Sequence, residues 1–354
     1  MSKADELIQY GRQYDCSDIH LTFGLAPIMR TKGALVPADN FPVMDDAALL
    51  QYARELSASM HTEPNLQSME DVDLCYQDSQ GSRNRVNIYH QQGHLAIAIR
   101  LLSDHIPTLE ELGMPPVFGE LAMMKRGMIL VTGPTGSGKS TTLAACIDYI
   151  NTKRREHIIT IEDPVEYKHQ NKNCMVNQRE VGVDTTDFAD SLRSALREDP
   201  DIILVGEMRD METISAAVTA AETGHLVFST LHTTGAAATI DRIIDVFPPH
   251  QQQQIRVQLA SVLKAVVSQQ LVPRADQTGR IAAQEILLVT DAVANMIREN
   301  KCHQITSVLQ TSGKLGMQSM DSHLISLVEQ RIITRETAVD YGIEKSMLMQ
   351  KLFY

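Results

Sequence analysis

The pattern of apolar and polar residues divides the chain near residue 102. Before that point, helical spacing of apolar residues is mixed with short runs in which apolar and polar residues alternate, as in strands with one buried face. The last two alternating runs are joined by residues 90–93, which we predict to be a hairpin loop. The elements predicted in this part are helices at 7–14 and 44–60 and strands at 18–22, 83–89 and 94–100.

Beyond residue 117 the pattern changes to buried strands that alternate with helices. Strands made almost wholly of apolar residues and separated by helices predict a parallel sheet covered by helices on both faces. The predicted strands lie at 128–132, 157–162, 202–206, 226–230 and 280–288, the predicted helices at 139–151, 186–197, 210–221 and 235–245, and a helix followed by a strand at 255–271.

The same pattern predicts an α/β protein of more than one domain. An N-terminal domain at 1–102 is followed at 103–116 by a segment with three prolines and one glycine, which we predict to be an interdomain linker. The alternating strands and helices form a core domain at 117–289, and residues 290–354 form a helical C-terminal subdomain.

Composition narrows the class of protein. The formal net charge is −12, aromatic residues make up 5% and tryptophan is absent. Surfaces that bind duplexes carry a basic excess, and surfaces that bind single strands stack bases on aromatic rings, so we expect no nucleic-acid partner.

The five cysteines form no C-x-x-C pair, and the start of the chain is polar. No apolar run approaches the length of about 18 residues that spans a membrane. Together these features predict a protein of the reducing cytoplasm.

Residues 133–140 read GPTGSGKS, a complete G-x-x-x-x-G-K-[ST] phosphate loop between a predicted strand and a predicted helix. In such a loop, backbone N–H groups and the positive end of the helix dipole surround an anion. Lys139 is expected to reach the β- and γ-phosphates of ATP, and Ser140 to hold Mg²⁺. The alternative interpretation is an ordinary glycine-rich turn. The predicted nucleotide-binding residues are Thr135, Gly136, Ser137, Gly138, Lys139, Ser140 and Thr141.

Hydrolysis also requires carboxylates, and two candidates follow predicted strands. Ligands bind at the carboxyl ends of strands in open α/β sheets, which favours Glu162 with Asp163 and, after another strand, Glu207. In the usual second motif of phosphate-loop enzymes an Asp closes the strand, and here Gly206 takes that place. We predict that Glu207 orients the attacking water and that Glu162 lies in the magnesium or water shell. The alternative for each is a capping or surface carboxylate.

His225 and His232 stand at the two ends of an apolar strand. Seven residues of extended chain span about 23 Å, which is too far for the two histidines to share one metal ion. A histidine at a strand end can sense the γ-phosphate or link neighbouring elements. A structural hydrogen-bonding role is an equal alternative.

Arginines collect on one face of the N-terminal hairpin. With residues 90–93 as the loop, Arg83 falls opposite Arg100, and Arg85 lies on the face of Arg83. Like charges directly opposite each other are destabilising, so we expect an anion to relieve them. Lys139 already serves the phosphate loop of the same chain, which favours the ATP of a neighbouring subunit, as for an arginine finger supplied in trans. The alternative is a salt-bridged or solvated face.

These segments together resemble the secretion-type ATPases, and within them the retraction ATPases of type IV pili. The resemblance covers nearly the whole chain and implies a PAS-like N-terminal α/β domain, a RecA-like ATPase core and a homohexameric ring. It implies these roles: Glu207 as the catalytic glutamate, Glu162 and Asp163 in an acidic box, His225 and His232 in a histidine box, and Arg83, Arg85 and Arg100 acting on the adjoining ATP. The matching stretches are GPTGSGKSTT at 133–142, IITIEDPVEY at 158–167, LREDPDIILVGEMRD at 196–210, AAETGHLVFSTLHT at 220–233, RIIDVFP at 242–248 and GMQSMD at 316–321.

Within this family, the retraction branch is favoured because extension and type II secretion ATPases are longer and usually carry a tetracysteine zinc module, whereas the cysteines here are solitary. The resemblance implies an ATP-driven motor at the inner face of the cytoplasmic membrane, attached through a pilus platform protein and the pilus base. One departure is that Ala294 stands where the C-terminal retraction motif has its first arginine, while Arg298 and Glu299 remain. The alternatives left open are an extension or type II secretion ATPase, a nucleic-acid translocase, and a nucleotide-gated scaffold with little turnover.

Overall fold

The computed structural model describes residues 2–31, 33–58, 64–66 and 68–354. The chain forms two units, Met1–His105 with Glu166–Lys168, and Ile106–Val165 with His169–Tyr354. The division after His105 falls inside the segment for which a linker is predicted. The C-terminal helices belong to the second unit and do not form a separate one.

In the described part of the first unit, six strands form an antiparallel sheet, and two helices pack on one of its faces. The elements are α1 Lys3–Gln13, β1 Cys16–Leu21, β2 Ile28–Thr31, β3 Ala34–Pro37, α2 Asp46–Ser57, β4 Val72–Gln77, β5 Arg83–Gln91 and β6 His94–Leu101. The strand order is β3-β2-β1-β6-β5-β4. Because side chains alternate between the faces of a strand, Val86 and Ile88 are buried under the helices, and Arg85 lies on the other face. Residues 59 and 60 of the helix predicted at 44–60 lie outside the described residues.

The hairpin between β5 and β6 corrects one prediction. A tight turn at residues 92–93, with φ of 52° and 86°, replaces the loop predicted at 90–93. Two-residue turns with positive φ at both positions match the twist of the flanking strands. Arg85, and not Arg83, therefore lies opposite Arg100. The predicted register was wrong by two residues, but a shift of two keeps every side chain on its face, so the three arginines still share one.

In the second unit, whose residues are all described, seven strands form one sheet. The strands are β7 Gly127–Thr132, β8 His157–Glu162, β9 Met175–Glu180, β10 Ile202–Val205, β11 Leu226–Leu231, β12 Leu263–Pro273 and β13 Arg280–Leu288. Their order is β13-β12-β7-β11-β10-β8-β9. The strands from β12 to β9 run parallel, and β13 is antiparallel to β12. The predicted α/β class is confirmed, but the sheet is mixed and not wholly parallel.

Helices cover both faces of this sheet. The helices are α3 Val117–Ala122, α4 Lys139–Lys153, α5 Phe188–Ala195, α6 Met211–Glu222, α7 Ala236–Asp245, α8 Pro249–Val262, α9 Asp291–Arg298, α10 Ile305–Thr311, α11 Met320–Glu329, α12 Arg335–Tyr341 and α13 Lys345–Phe353. α3 and α4 pack against Ile129 and Val131 of β7, and α5 to α9 pack on the opposite face, against Met128 and Leu130. Strands covered on both faces are buried along their whole length, as β7, β10 and β11 are. None of the described helices combines the length and the apolar character needed to cross a bilayer.

Parallel pairing brings the carboxyl ends of β7, β11, β10 and β8 to the same side of the sheet. We call the loops that follow these four strands the carboxyl edge. In open α/β sheets this is where ligands bind.

Candidate active site

Residues 133–141 form a tight loop from the end of β7 into the first turn of α4. Gly133, Gly136 and Gly138 have φ of 140°, 76° and 85°, which glycine adopts without steric cost. A Cβ at Gly133 would lie 2.1 Å from the carbonyl oxygen of Gln269. The loop is therefore packed against β12 too closely for any side chain at its first position.

The start of α4 differs from the starts of α5 and α6. α5 and α6 are preceded by Asp187 and Asp210, whose carboxylates accept from backbone N–H groups of the first turn. The residue before α4 is Gly138, which provides no side-chain cap. This leaves the positive end of the helix dipole for an anion. The buried hydroxyl of Ser137, which has no hydrogen-bond partner among the described residues, also fits a phosphate oxygen.

Lys139 is buried and folds back over the loop. Its Nζ donates to the carbonyl oxygens of Gly133 at 2.8 Å and Pro134 at 3.0 Å. A buried ammonium is costly unless it is hydrogen-bonded or paired with an opposite charge. The two carbonyl groups therefore hold the lysine beside the loop, in the place from which it can meet the charge of a polyphosphate.

A buried glutamine of β12, not predicted from the sequence, fixes this loop. Gln269 donates from Nε2 to the carbonyl oxygen of Ser137 at 2.6 Å and accepts at Oε1 from the Thr142 hydroxyl at 3.0 Å. The loop and α4 are thus both tied to β12. The signal for it in the sequence was the pair Gln269 and Gln270 inside a largely apolar strand, since a polar residue at a buried strand position predicts a hydrogen-bonding role.

Glu207 follows β10 at the carboxyl edge, and its side chain is only 15% exposed. Its Oε1 lies 2.7 Å from Nε of Arg209, and its Oε2 lies 3.4 Å from Nε2 of His232. Arg209 was not predicted, although a cation two residues after a strand-end acid is a visible signal. The carboxylate is thus held from both sides, by His232 of the next loop and by an arginine side chain that is 72% exposed.

Gly206 lies directly after β10, at the position where an acid would close the strand. Its N–H donates to the carbonyl oxygen of Ile161 at 2.7 Å. A Cβ there would lie 3.2 Å from that oxygen and 3.3 Å from Cα of Glu162. A side chain at position 206 would therefore require the ends of β10 and β8 to move apart by a few tenths of an ångström, and the first acid after the strand is Glu207.

Glu162 and Asp163 lie at the same edge but farther from the phosphate loop. β8 is the third strand from β7 and β10 the second, so at about 4.8 Å per strand their ends lie roughly 14 Å and 10 Å from that of β7. Glu162 Oε1 accepts from the Thr160 hydroxyl at 2.6 Å and from Nε2 of Gln178 at 3.2 Å. Asp163 is exposed. Their place in a magnesium or water shell stays a prediction.

The structure separates the two predicted histidines. His232 follows β11 at the carboxyl edge and faces Glu207. His225 precedes β11, and its Nδ1 lies 2.9 Å from the carbonyl oxygen of Ala220 at the end of α6. Because β11 runs parallel to β7, its start lies at the opposite side of the sheet from the phosphate loop. A nucleotide contact of His225 within its own chain is therefore not supported, and the alternative of a structural hydrogen bond is.

The three predicted arginines lie in the first unit, on the sheet face opposite α1 and α2. We call this the arginine face. Arg100 Nε lies 2.9 Å from Asp18, its neighbour on β1, and Arg83 Nε donates to Sγ of Cys75 at 3.0 Å. Arg85 is exposed and makes no hydrogen bond or ion pair within the described residues. Asp73 of β4 also lies on this face, so its arginines outnumber its two acids and leave an excess of positive charge.

The chain matches known proteins along most of its length. The family model described as type II/IV secretion system protein matches residues 85–347. The type IV pilus retraction ATPase PilT of Pseudomonas aeruginosa is 46% identical over 333 residues, which are 94% of this chain and 96% of that protein. A twitching motility protein of Neisseria gonorrhoeae is 54% identical over 268 residues, 76% of this chain and 72% of its own. The crystal structure of the pilus retraction motor PilT with bound ADP matches with a TM-score of 0.90 at 44% identity, over 99% of each chain.

Proposed function

Because the chain belongs to the type II/IV secretion system protein family, we propose that it is an ATP-hydrolysing motor that drives retraction of type IV pili. The family predicted from the sequence is confirmed. The observation that carries the function is the carboxyl edge, where the phosphate loop, Glu207 and His232 meet in a chain whose near relatives are named for pilus retraction and twitching motility. The ADP of the structural neighbour supports nucleotide binding at the phosphate loop.

Each group at the edge has a separate task in this proposal. The loop and the start of α4 bind the phosphates, and Lys139 offsets their charge. Ser140, in the first turn of α4, and the carboxylates at the edge are oxygen ligands of the kind that suits Mg²⁺, which neutralises phosphate charge when bound. Glu207 accepts a hydrogen bond from the attacking water once the exposed Arg209 moves away from Oε1, while His232 keeps Oε2 in place.

The complete site takes groups from two copies of the chain. We propose a homohexamer in which Arg83, Arg85 and Arg100 of one subunit offset the developing charge on the ATP of the next. The excess charge of the arginine face supports this, since an anion from outside would relieve it. The ring attaches to a pilus platform protein and the pilus base at the inner face of the cytoplasmic membrane. Its net charge of −12 disfavours a nucleic-acid partner.

Ala294 is a specific observation that favours the alternative function, that of a pilus-extension ATPase. It is 6% exposed, in the part of α9 that packs on the core, while Arg298 and Glu299 are exposed. The first arginine of the retraction motif is thus replaced by an apolar contact. The coupling of hydrolysis to pilin removal therefore has to be tested in cells and not only as ATP turnover.

The test combines a deletion strain with a variant. Deletion is expected to leave excess pili that do not retract, and the wild-type chain should restore retraction. Glu207→Gln should bind nucleotide normally but fail to restore retraction, because loss of the group that orients water lowers turnover by about 10²–10⁴-fold. Glu212→Gln, an exposed glutamate of α6, is the matched control and should restore it. Absence of pili in the deletion strain would favour an extension ATPase. Stimulation of ATP turnover by DNA or RNA would favour a nucleic-acid translocase. Normal retraction with Glu207→Gln would contradict the catalytic role of Glu207.

A further inference from the structure

The loop between β11 and α7, residues 232–235, carries His232 to Glu207, and we call it the histidine loop. Its far end is held by two side chains. The N–H of Gly235 donates to the Ser268 hydroxyl at 2.9 Å, and the N–H of Ala236 donates to Oε1 of Glu285 at 2.7 Å. Ser268 and Glu285 are direct partners across β12 and β13, so one pair of facing residues fixes the end of the loop.

The near end of the histidine loop is continuous with the phosphate loop. The N–H of Gly133 donates to the carbonyl oxygen of Leu231 at 3.3 Å. The Thr239 hydroxyl of α7 lies 2.7 Å from that of Thr233 and 3.4 Å from that of Thr132, the last residue of β7. The histidine loop therefore lies directly beside the phosphate loop, and a displacement of it changes the surroundings of Glu207.

Glu285 also reaches the C-terminal helices. Glu285 is 7% exposed and lies near the backbone N–H of Met320, the first residue of α11, which lowers the pKa of its carboxyl group. It thus stands between the N-termini of α7 and α11, where both helix dipoles favour a negative charge. Burial raises the pKa of Glu285 and nearby Asp321 adds to this, whereas the N–H groups of Ala236 and Met320 favour the charged form.

The segment before α11 is joined to the same strand. Gln318 exchanges two backbone hydrogen bonds with Ile286 of β13, at 2.8 and 3.1 Å. Asp321, one residue into α11, accepts from the N–H groups of Ile343 at 2.7 Å and Glu344 at 2.9 Å, directly before α13. The GMQSMD segment at 316–321 therefore connects β13 with the last helix of the chain.

We propose that Glu285 is a positioning residue for ATP hydrolysis, which fixes the histidine loop so that His232 faces Glu207 and ties this loop to the start of α11. Displacement of the C-terminal helices then changes the rate of hydrolysis without a contact to the nucleotide. The inference rests on the proposed ATPase function. A glutamine at 285 keeps the size of the side chain but loses the charge, and its NH₂ group cannot accept a hydrogen bond from a backbone N–H.

The test compares Glu285→Gln with the wild type. We expect turnover to fall about 10-fold or more, as for other groups that orient a catalytic residue. Affinity for a fluorescent ADP analogue should stay within about twofold, because Gln269 anchors the phosphate loop separately. In a His232→Ala background the same change should give no further loss, since Glu285 acts through that histidine. Ser268→Ala, which removes the neighbouring anchor, should lower turnover less, and Glu329→Gln, an exposed residue at the end of α11, should leave it unchanged.

Several results would overturn the inference. Wild-type turnover in Glu285→Gln would do so, as would a parallel fall in turnover, nucleotide affinity and thermal stability, which marks a general structural role. If adding Glu285→Gln to His232→Ala abolished the remaining activity, Glu285 would act independently of His232. If Glu285→Gln does not fold, unchanged turnover in Ser268→Ala overturns it. An inactive wild type refutes the ATPase function itself, whereas an active wild type beside an equally active Glu285→Gln refutes this inference alone.

Discussion

The two sheets of this protein hold their charged residues in opposite ways. At the carboxyl edge, Lys139 and Glu207 are held by groups of the same unit, at 2.8 Å from the carbonyl oxygen of Gly133 and 2.7 Å from Arg209. On the arginine face, Arg85 lies opposite Arg100, and of these two only Arg100 is paired with an acid within the described residues. The carboxyl edge is organised by its own chain, whereas the arginine face holds charge that a group from outside can neutralise.

This difference sets the expected size of mutational effects. A site held by close packing loses its geometry when a single backbone contact is lost, because the surrounding atoms leave no free volume for adjustment. A site organised by exposed charge tolerates the loss of one side chain in the isolated subunit, since water solvates what remains, and fails only where the partner anion is present. The expected effects are therefore largest at the phosphate loop, smaller at the arginine face and smallest for Asp18, the acid that pairs with Arg100.

The largest effect is expected for Gly133→Ala. Its Cβ would lie 2.1 Å from a backbone oxygen of β12, at a φ of 140° that alanine does not adopt. The loop has to move, so affinity for an ADP analogue should fall by more than about 100-fold, equivalent to about 2.7 kcal/mol. Gly182→Ala is the matched control, because it has φ of 83° with no atom within 4 Å of the added Cβ, and it lies outside the loop. Equal nucleotide affinities in the two variants would contradict the packing argument.

The second effect depends on the assembled ring. A double variant, Arg85→Ala with Arg100→Ala, should bind nucleotide but hydrolyse it at least about 10³-fold more slowly, if the arginines act as fingers. Mixing it with Lys139→Ala subunits should restore part of the activity, because intact phosphate loops then face intact arginines.

Arg30→Ala is the control for that experiment. Arg30 lies in the same row of the arginine face, next to Asp18, and donates to the carbonyl oxygen of Gly33 at 2.9 Å. Its loss should leave turnover unchanged. No recovery at any mixing ratio would show that the arginines act within their own subunit or not at all.

The carboxyl edge was the more predictable of the two regions. β8 was predicted at 157–162 and is observed at His157–Glu162, and the acids of this edge directly follow their strands in the chain. A motif in which the chemistry and the strand are adjacent in sequence needs no knowledge of long-range contacts. Gln269 was missed because it meets Ser137 across 132 residues, and periodicity along one strand does not reveal its partner.

The register and the direction of individual strands were also not predictable from the sequence. The turn at residues 92–93 is Gln-Gly, which lacks the Asn-Gly or Asp-Gly signal of tight hairpins, so the loop was predicted two residues too long. β13 was predicted at its observed bounds, but an apolar run does not indicate whether its strand runs parallel or antiparallel to the neighbouring strand. β9 was missed because an edge strand needs few apolar residues, and its sequence is MVNQRE. His225 and His232 look equivalent in sequence, and only the parallel pairing of β11 with β7 assigns them to opposite sides of the sheet.

The smallest effect is expected for Asp18→Asn, which removes the acid that pairs with Arg100 on the arginine face. Although partial burial acts to raise it, the hydrogen bonds from Arg100 and Ser17 hold the pKa of Asp18 below its usual value. A carboxylate whose pKa is lower in the folded state adds stability above its unfolded pKa, and this stability is lost as the pH falls through the folded pKa. Because Arg100 is 65% exposed, screening by water limits the contribution to less than about 1 kcal/mol.

Urea unfolding of the wild type and Asp18→Asn should therefore show the same small difference in unfolding free energy at pH 7 and pH 5. The difference should shrink below about pH 4, where the carboxyl group of the unfolded chain becomes protonated. In an Arg100→Ala background the substitution should have less effect at pH 7, since the partner charge is gone. A difference that grows toward low pH would reverse the sign of the linkage. It would show that folding raises the pKa of Asp18, whereas a difference that does not change with pH would show that Asp18 stabilises the arginine face by packing and not by its charge.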